Sequence, residues 1–244
     1  MNKITFILLF FTLTFSKAFA VEYNASAFGC VSDGQTNNTK SIQAAIDFIS
    51  SKGGGTLNFY VGRYLTGGLT LKSNVTIQLH EGAILLANPS FYDFIKHEGK
   101  HYFIFAQDQT NLKIIGKGVI LGQAKATLQQ IQKLQQNGIL DAAVAKPILV
   151  GLLNCKDVTI DGIHLEDAAS DIYAIQQSSN IVLSNQIIHS TSTATSNAVN
   201  LTAVHGILLE KLYVDVTGKA LIKDGLSNDI SIKASVNKDG KSIK

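Results

Sequence analysis

Between residues 195 and 225 the chain reads TSNAVNLTAVHGILLEKLYVDVTGKALIKDG. The groups there with chemistry to offer are the amides of Asn197 and Asn200, the amine of Lys219, the carboxylates of Glu210, Asp215 and Asp224, and the pair His205-Gly206. General acid–base work needs a group that can give or take a proton within reach of the reacting atom. An asparagine amide donates and accepts hydrogen bonds but delivers no proton at neutral pH. Two amides and a lysine suit binding instead, since amides read hydroxyl groups and an ammonium pairs with a carboxylate. Glu166, Asp167 and Asp171 stand earlier as further acids, and residues of this kind are mostly solvated turn or strand-edge groups. The chain has no Cys-x-x-Cys, its six histidines are scattered apart from His97 and His101, which flank a Glu-Gly turn signal, and no tight acidic cluster adjoins Lys219. It therefore implies no metal and no cofactor, and a calcium-dependent lyase site ranks low.

The elements that must position these residues repeat along the chain. A phrase of small polar residues followed by alternating apolar ones recurs as SNVTIQL, TNLKIIG, CKDVTIDGI, SSNIVLSNQII, VHGILLEKLYV and LSNDISIKASV. The first apolar residues of four of these, Val158, Ile181, Ile207 and Ile230, are spaced by 23, 26 and 23, and Leu112 precedes Val158 by 46, read as two periods. A fixed period of this size marks stacked units that cannot bury their apolar faces alone. Alternation and β-branched residues within each unit make it a set of short strands. The spacing predicts an all-β, right-handed parallel β-helix of eight or nine coils stacked about 4.8 Å apart. A β-sandwich is the rival, but Asp33-Gly34, Asn137-Gly138 and Asp161-Gly162 are too few hairpin signals for it.

An open β-helix end needs cover. Ile42, Ala45, Ile46 and Ile49 follow Asn38, Thr39 and Ser41 at helical spacing and stop at Gly53–Gly55, which predicts an amphipathic capping helix with N-cap oxygens from those three residues. A second helix is expected over Lys125–Gly138, with Leu128, Ile131 and Leu134 as its stripe, as an excursion between coils. The tail SVNKDGKSIK offers no evident cap for the last coil.

Residues 1–20, MNKITFILLFFTLTFSKAFA, order a positive charge, an apolar run and small residues as a secretory signal peptide cleaved near Ala20 does. The protein is expected to be secreted or periplasmic, and no later run reaches the roughly 18 apolar residues of a membrane span. Residues 21–244 carry no linker and read as one domain. Net charge falls from +3 to +1 once Lys3 and Lys17 leave with the leader, which gives no case for nucleic acid or anionic lipid as partner. Cys30 and Cys155 read as buried small side chains, although the compartment permits a disulfide.

Phe28-Gly29, Asp33-Gly34, Gly53–Gly55, Gly62 with Tyr64, Asn74 and Gly82-Ala83, followed by NLKIIGKGVILGQ and KPILVGLLNCKDVTIDGIHLEDAASDIYAI, resemble the polygalacturonases, glycoside hydrolase family 28, of the pectin-lyase-like β-helix type. The resemblance implies inverting hydrolysis of a galacturonan link, with one carboxylic acid protonating the leaving oxygen and a base activating water across about 6.5–9.5 Å. The family supplies these groups from an Asn-Thr-Asp motif on one coil and Gly-Asp-Asp on the next. Here the first falls on Thr195, Ser196, Asn197, Ala198, Val199 and Asn200, with asparagine at both aspartate positions, and the second on DVTGKALIK, with Gly218 and Lys219 in place of the aspartate pair. Asp215 matches a family aspartate just before that pair and is the acid its position recommends. A second register through His205-Gly206 puts Leu221 where the family has arginine. Against the family pattern the later coils are missing, and the chain is C-terminally short.

Two functions follow from the resemblance. One is a polygalacturonase-like hydrolase by fold and descent whose catalytic aspartates are lost. The other is a non-catalytic carbohydrate-binding β-helix, a pseudoenzyme from a shortened gene, with Asn197, Asn200 and Lys219 holding a uronate. An acidic plant polysaccharide is the expected partner in both, and the sequence leaves the oligomeric state open.

Overall fold

The computed structural model describes residues 21–244; the leader read from residues 1–20 lies outside them. Three parallel sheets wind around a common core. The first has eight strands: Glu22–Asn24, Gly55–Phe59, Val75–Leu79, Thr110–Gly116, Lys156–Asp161, Ser179–Ser184, His205–Glu210 and Asn228–Lys233. The second runs from Gly62–Thr66 to Val236–Asn237, and the third from Leu69–Thr70 through Lys100–Gln107, Ile148–Leu153, Tyr173–Gln176 and Val199–Thr202 to Leu221–Lys223. The chain visits the three in turn, so each circuit adds one rung to every sheet of a right-handed parallel β-helix.

Alternation within each strand makes the core a set of columns. Leu57, Ile77, Ile114, Ile160, Leu183 and Leu209 are consecutive register partners, all at most 5 % exposed. Each contributes about 1.5–3 kcal/mol by its burial, and a one-residue slip would turn the whole column out to solvent. The turns are also in register. Asn74, Asn111, Asp157, Asn180, Gly206 and Asp229 share φ between 53° and 73° at one corner of successive coils. Asn111 Nδ2 donates to Asn74 Oδ1 at 2.9 Å and Asn180 Nδ2 to Asp157 Oδ1 at 3.0 Å. Asn, Asp and Gly tolerate this left-handed conformation, which explains the small polar residues ahead of every strand.

The 23- and 26-residue intervals are direct stacking partners, Val158 on Ile181, Ile181 on Ile207 and Ile207 on Ile230. The 46-residue interval is not two coils. Leu112 stacks directly on Val158, so one coil holds an excursion that contains the helix Ala124–Gln136 (α2, after the capping helix α1). Ile131 of α2 is buried, whereas Leu128 and Leu134 are half-buried, so the expected stripe packs in part.

Helix α1, Thr39–Ser51, covers the first coil with Ile42, Ala45, Ile46 and Ile49, all fully buried. Asn38 stands at its N-cap position without capping it by side chain. Its amide instead accepts from Val31 N and donates to the carbonyls of Val31, Thr36 and Leu65, tying three segments together. Asn37 takes the cap, its Oδ1 accepting from Thr39 N at 3.0 Å.

The far end differs from the expectation of an uncovered coil. Val236 bridges to Ser242, Asn237 Oδ1 accepts from Asp239 N and Lys241 N, and Ile243, 2 % exposed, enters the main core. The polar tail is a turn that folds one isoleucine back under the coil. Ile243→Asp is expected to cost at least about 3 kcal/mol, from lost burial and a carboxylate left against apolar side chains. Thermal melting with light scattering would register this as a lower transition with aggregation; an unchanged melt would show that Ile243 covers nothing that matters.

Cys30 and Cys155 are both free thiols in the core. Burial pushes the Cys30 thiol up to about 11, so it stays protonated and unreactive.

Candidate functional site

The outer face of the third sheet carries the cleft. Backbone bonds Leu149 N to Asp171 O, Ile172 N to Asn197 O and Ala198 N to Lys219 O set Asp171, Asn197 and Lys219 on successive coils of one column. Three residues further along the strands, Gly151, Ala174, Asn200 and Ile222 form a second column. The residues between, Ile172 and Tyr173 on one coil and Ala198 and Val199 on the next, are fully buried. This in-in-out pattern puts Asn197 and Asn200, three apart in sequence, on the same outer face.

The central contact is an amide–carboxylate clamp. Asn197 Nδ2 donates to Asp171 Oδ1 at 2.8 Å and Asn200 Nδ2 to Asp171 Oδ2 at 3.1 Å, while Lys219 N donates to Asn197 Oδ1 at 2.8 Å. Asn197 thus bridges a carboxylate on one coil and an N–H on the next. An aspartate there would satisfy the N–H but set oxygen against oxygen at Asp171. Gly218 completes the packing: a Cβ at this position would overlap the Asn197 side-chain oxygen and lie 2.7 Å from Ser196 O. With Asn197 so placed, a side chain at position 218 would need Asn197 and the backbone at Ser196 to shift.

Around the clamp a cleft of about 450 Å³ is lined by Lys100, Lys146, Ser170, Thr195 and Thr202, with Val144 and Ala145 as apolar wall. Asp171 is the one carboxylate of the lining. Lys100 comes from a hairpin and Lys146 from the loop after α2, where Gln135 Nε2 donates to the carbonyls of Asp141 and Ala142.

The other sequence candidates lie elsewhere. Asp215 is on the second sheet, its Oδ2 3.2 Å from His189 Nδ1 and its Oδ1 4.0 Å from Lys238 Nζ, and it does not line the cleft. Glu166 stacks next to His189 on that sheet, and Asp167 forms the left-handed turn after it. Glu210 ends a first-sheet strand. Asp224 accepts from the Ser227 hydroxyl and from Ala203 N, which hold its carboxyl below the usual range. His205 is exposed with Nδ1 3.0 Å from Asn228 Oδ1, and Gly206 serves the turn ladder. Asp171 carried a readable signal, since it precedes Asn197 by the same 26 residues that separate Ile181 from Ile207. Lys100 and Lys146 had none, because neither belongs to the repeat.

A family model described as Glycosyl hydrolases family 28 matches residues 55–241. The chain belongs to glycosyl hydrolase family 28. As a family 28 chain it is 27% identical over 208 residues to a probable polygalacturonase of Vitis vinifera, covering 77% of this chain and 41% of that one. It is 27% identical over 221 residues to an exo-poly-alpha-D-galacturonosidase of Dickeya chrysanthemi, covering 70% and 36%. The chain therefore spans about two fifths of the length of these two relatives. A crystal structure of a Parabacteroides merdae protein superposes with a TM-score of 0.86 at 36% identity, covering 90% of this chain and 99% of that one.

Proposed function

We propose that this family 28 protein binds an acidic, galacturonan-type polysaccharide in the third-sheet cleft without hydrolysing it by the two-carboxylate route. The observation that carries this is the clamp: one cleft carboxylate, Asp171, with both oxygens occupied by the amides of Asn197 and Asn200. The resemblance to the family's motifs, which sets Gly218 and Lys219 in the place of an aspartate pair, supports the same reading. Inverting hydrolysis needs a second carboxyl group across the sugar ring. Lys100 and Lys146 on the rim supply positive charge for uronate groups, and Ser170, Thr195 and Thr202 supply hydroxyls for the sugar's own. The galacturonan assignment draws on the two polygalacturonase-type relatives, and the leader-like residues 1–20 fit export to where such polymers lie.

A second reading rests on Asp171 itself, a carboxylate in the cleft that could act as a relocated acid. The two are separated by incubating the protein with polygalacturonic acid and assaying, in the same samples, bound polymer and new reducing ends. Binding with no new reducing ends is expected. Reducing ends that vanish in Asp171→Asn would make Asp171 a working acid, and ends that vanish in Asp215→Asn would move the chemistry to the second sheet.

A further inference from the structure

Resting on that reading of the cleft, we propose that it accepts the end of a uronan chain and excludes the middle, because the hairpin Ile95–Tyr102 closes one end of the groove.

A polymer lying in the groove along the helix axis would cross the outer column Phe105, Gly151, Ala174, Asn200, Ile222, whose members are register partners on five successive coils. Exposure along this column changes in one direction. Phe105 is 5 % exposed, Gly151 is buried, Ala174 is 6 % exposed, and Asn200 and Ile222 are partly open. The closed end has a physical cause. Ile95–His97 pairs antiparallel with Lys100–Tyr102 through a tight turn at Glu98 and Gly99, both with positive φ. That hairpin lays His97 5.1 Å from the Phe105 ring, centroid to centroid, and packs Ile95 on the same cluster. Tyr102 stacks on Phe105 at 4.6 Å and fills the space over Gly151, where a Cβ would overlap its ring.

The hairpin is itself braced. His101, 7 % exposed, sits 4.3 Å from the Phe91 ring, and the loop carrying Ala145 and Lys146 forms the wall beside it. A sugar ring advancing past Ala174 toward Phe105 therefore meets packed aromatic side chains. Lys100 and Lys146 stand at this closed end, placed to hold the carboxylate of a terminal uronate, while the opposite end passes Ile222 to the exposed Lys223. One polymer chain then offers a site at its terminus and none along its length.

The test is stoichiometry against chain length. Sodium oligogalacturonates of defined length (a trimer, a hexamer and a dodecamer) and long polygalacturonate are titrated calorimetrically into the protein at fixed ionic strength. End recognition predicts one protein bound per chain at every length, so that capacity per gram halves from hexamer to dodecamer and falls steeply for the polymer. Capacity per gram that stays constant from dodecamer to polymer would overturn end recognition while leaving the binding reading intact. No binding at any length would overturn both.

Discussion

Lys100→Glu combined with Lys146→Glu is expected to weaken binding of galacturonate oligomers by about 30- to 100-fold at low salt, a loss of about 2–3 kcal/mol. Two unit charges 4 Å apart in a water-like medium interact by about 1 kcal/mol, and reversal replaces each attraction with a repulsion. Screening takes back part of that sum, and in about 1 M salt, where the Debye length is about 3 Å, the variant and the parent should differ only a few-fold. Both lysines are exposed and neither forms an ion pair within 4.0 Å among the described residues, so the melting temperature should hardly move. Calorimetric titration at two salt concentrations gives the answer. A low-salt loss below threefold would mean that charge on this rim does not select the ligand, and the uronate reading of the cleft would fail with it.

Those two lysines also mark how far sequence reasoning reaches in a solenoid. The repeat was legible because stacking imposes it: every coil must offer an apolar residue at the same depth and a residue tolerant of positive φ at the same corner, so Val158, Ile181 and Ile207 recur with Asp157, Asn180 and Gly206 beside them. Asn197, Asn200 and Lys219 were singled out by the resemblance to the family's motifs, and the stacking of the coils sets Asn197 and Lys219 in one column. What interrupts the frame was legible only in part. The helix over Lys125–Gly138 read as an excursion, yet the 46 residues from Leu112 to Val158 also divide into two periods of 23 and read as two coils, and the loop after that helix is what delivers Lys146. Asn38 and Ile243 show a second limit. An asparagine ahead of a helix reads as a cap by local rule, yet four hydrogen bonds to Val31, Thr36 and Leu65 hold its side chain elsewhere. An isoleucine in a polar tail reads as solvent-exposed until the turn at Asn237 brings it under the core.

The strand that carries the clamp depends on one large side chain beneath it, and Tyr173→Ala is expected to be the most damaging single truncation near the site. Tyr173 is fully buried, stacked between Val150 and Val199 on the adjacent coils, two residues from Asp171 and next to Ala174. Its hydroxyl donates to Gln186 Oε1 at 2.9 Å, and Gln186 Nε2 in turn donates to Ile160 O at 2.7 Å, so the phenol joins the third sheet to the first through the middle of the core. Burial pushes the phenol's ionisation far above its ordinary range, so it serves as a neutral donor. Removing the ring costs about 3–5 kcal/mol in lost burial and cavity, and the orphaned Gln186 oxygen adds about 1–3 kcal/mol. At about 2–4 °C per kcal/mol for a domain of this size, the melting temperature should fall by about 10–20 °C. Tyr173→Phe isolates the smaller part: it keeps the ring, loses only the hydrogen bond, and should cost about 1–2 kcal/mol while leaving oligogalacturonate affinity in place. The comparison separates support from recognition, because the alanine variant should lose binding only as the population of folded protein falls. Alanine and phenylalanine variants with the same stability would mean that the Tyr173 ring fills no essential space, and the clamp would need a different explanation for its fixed geometry.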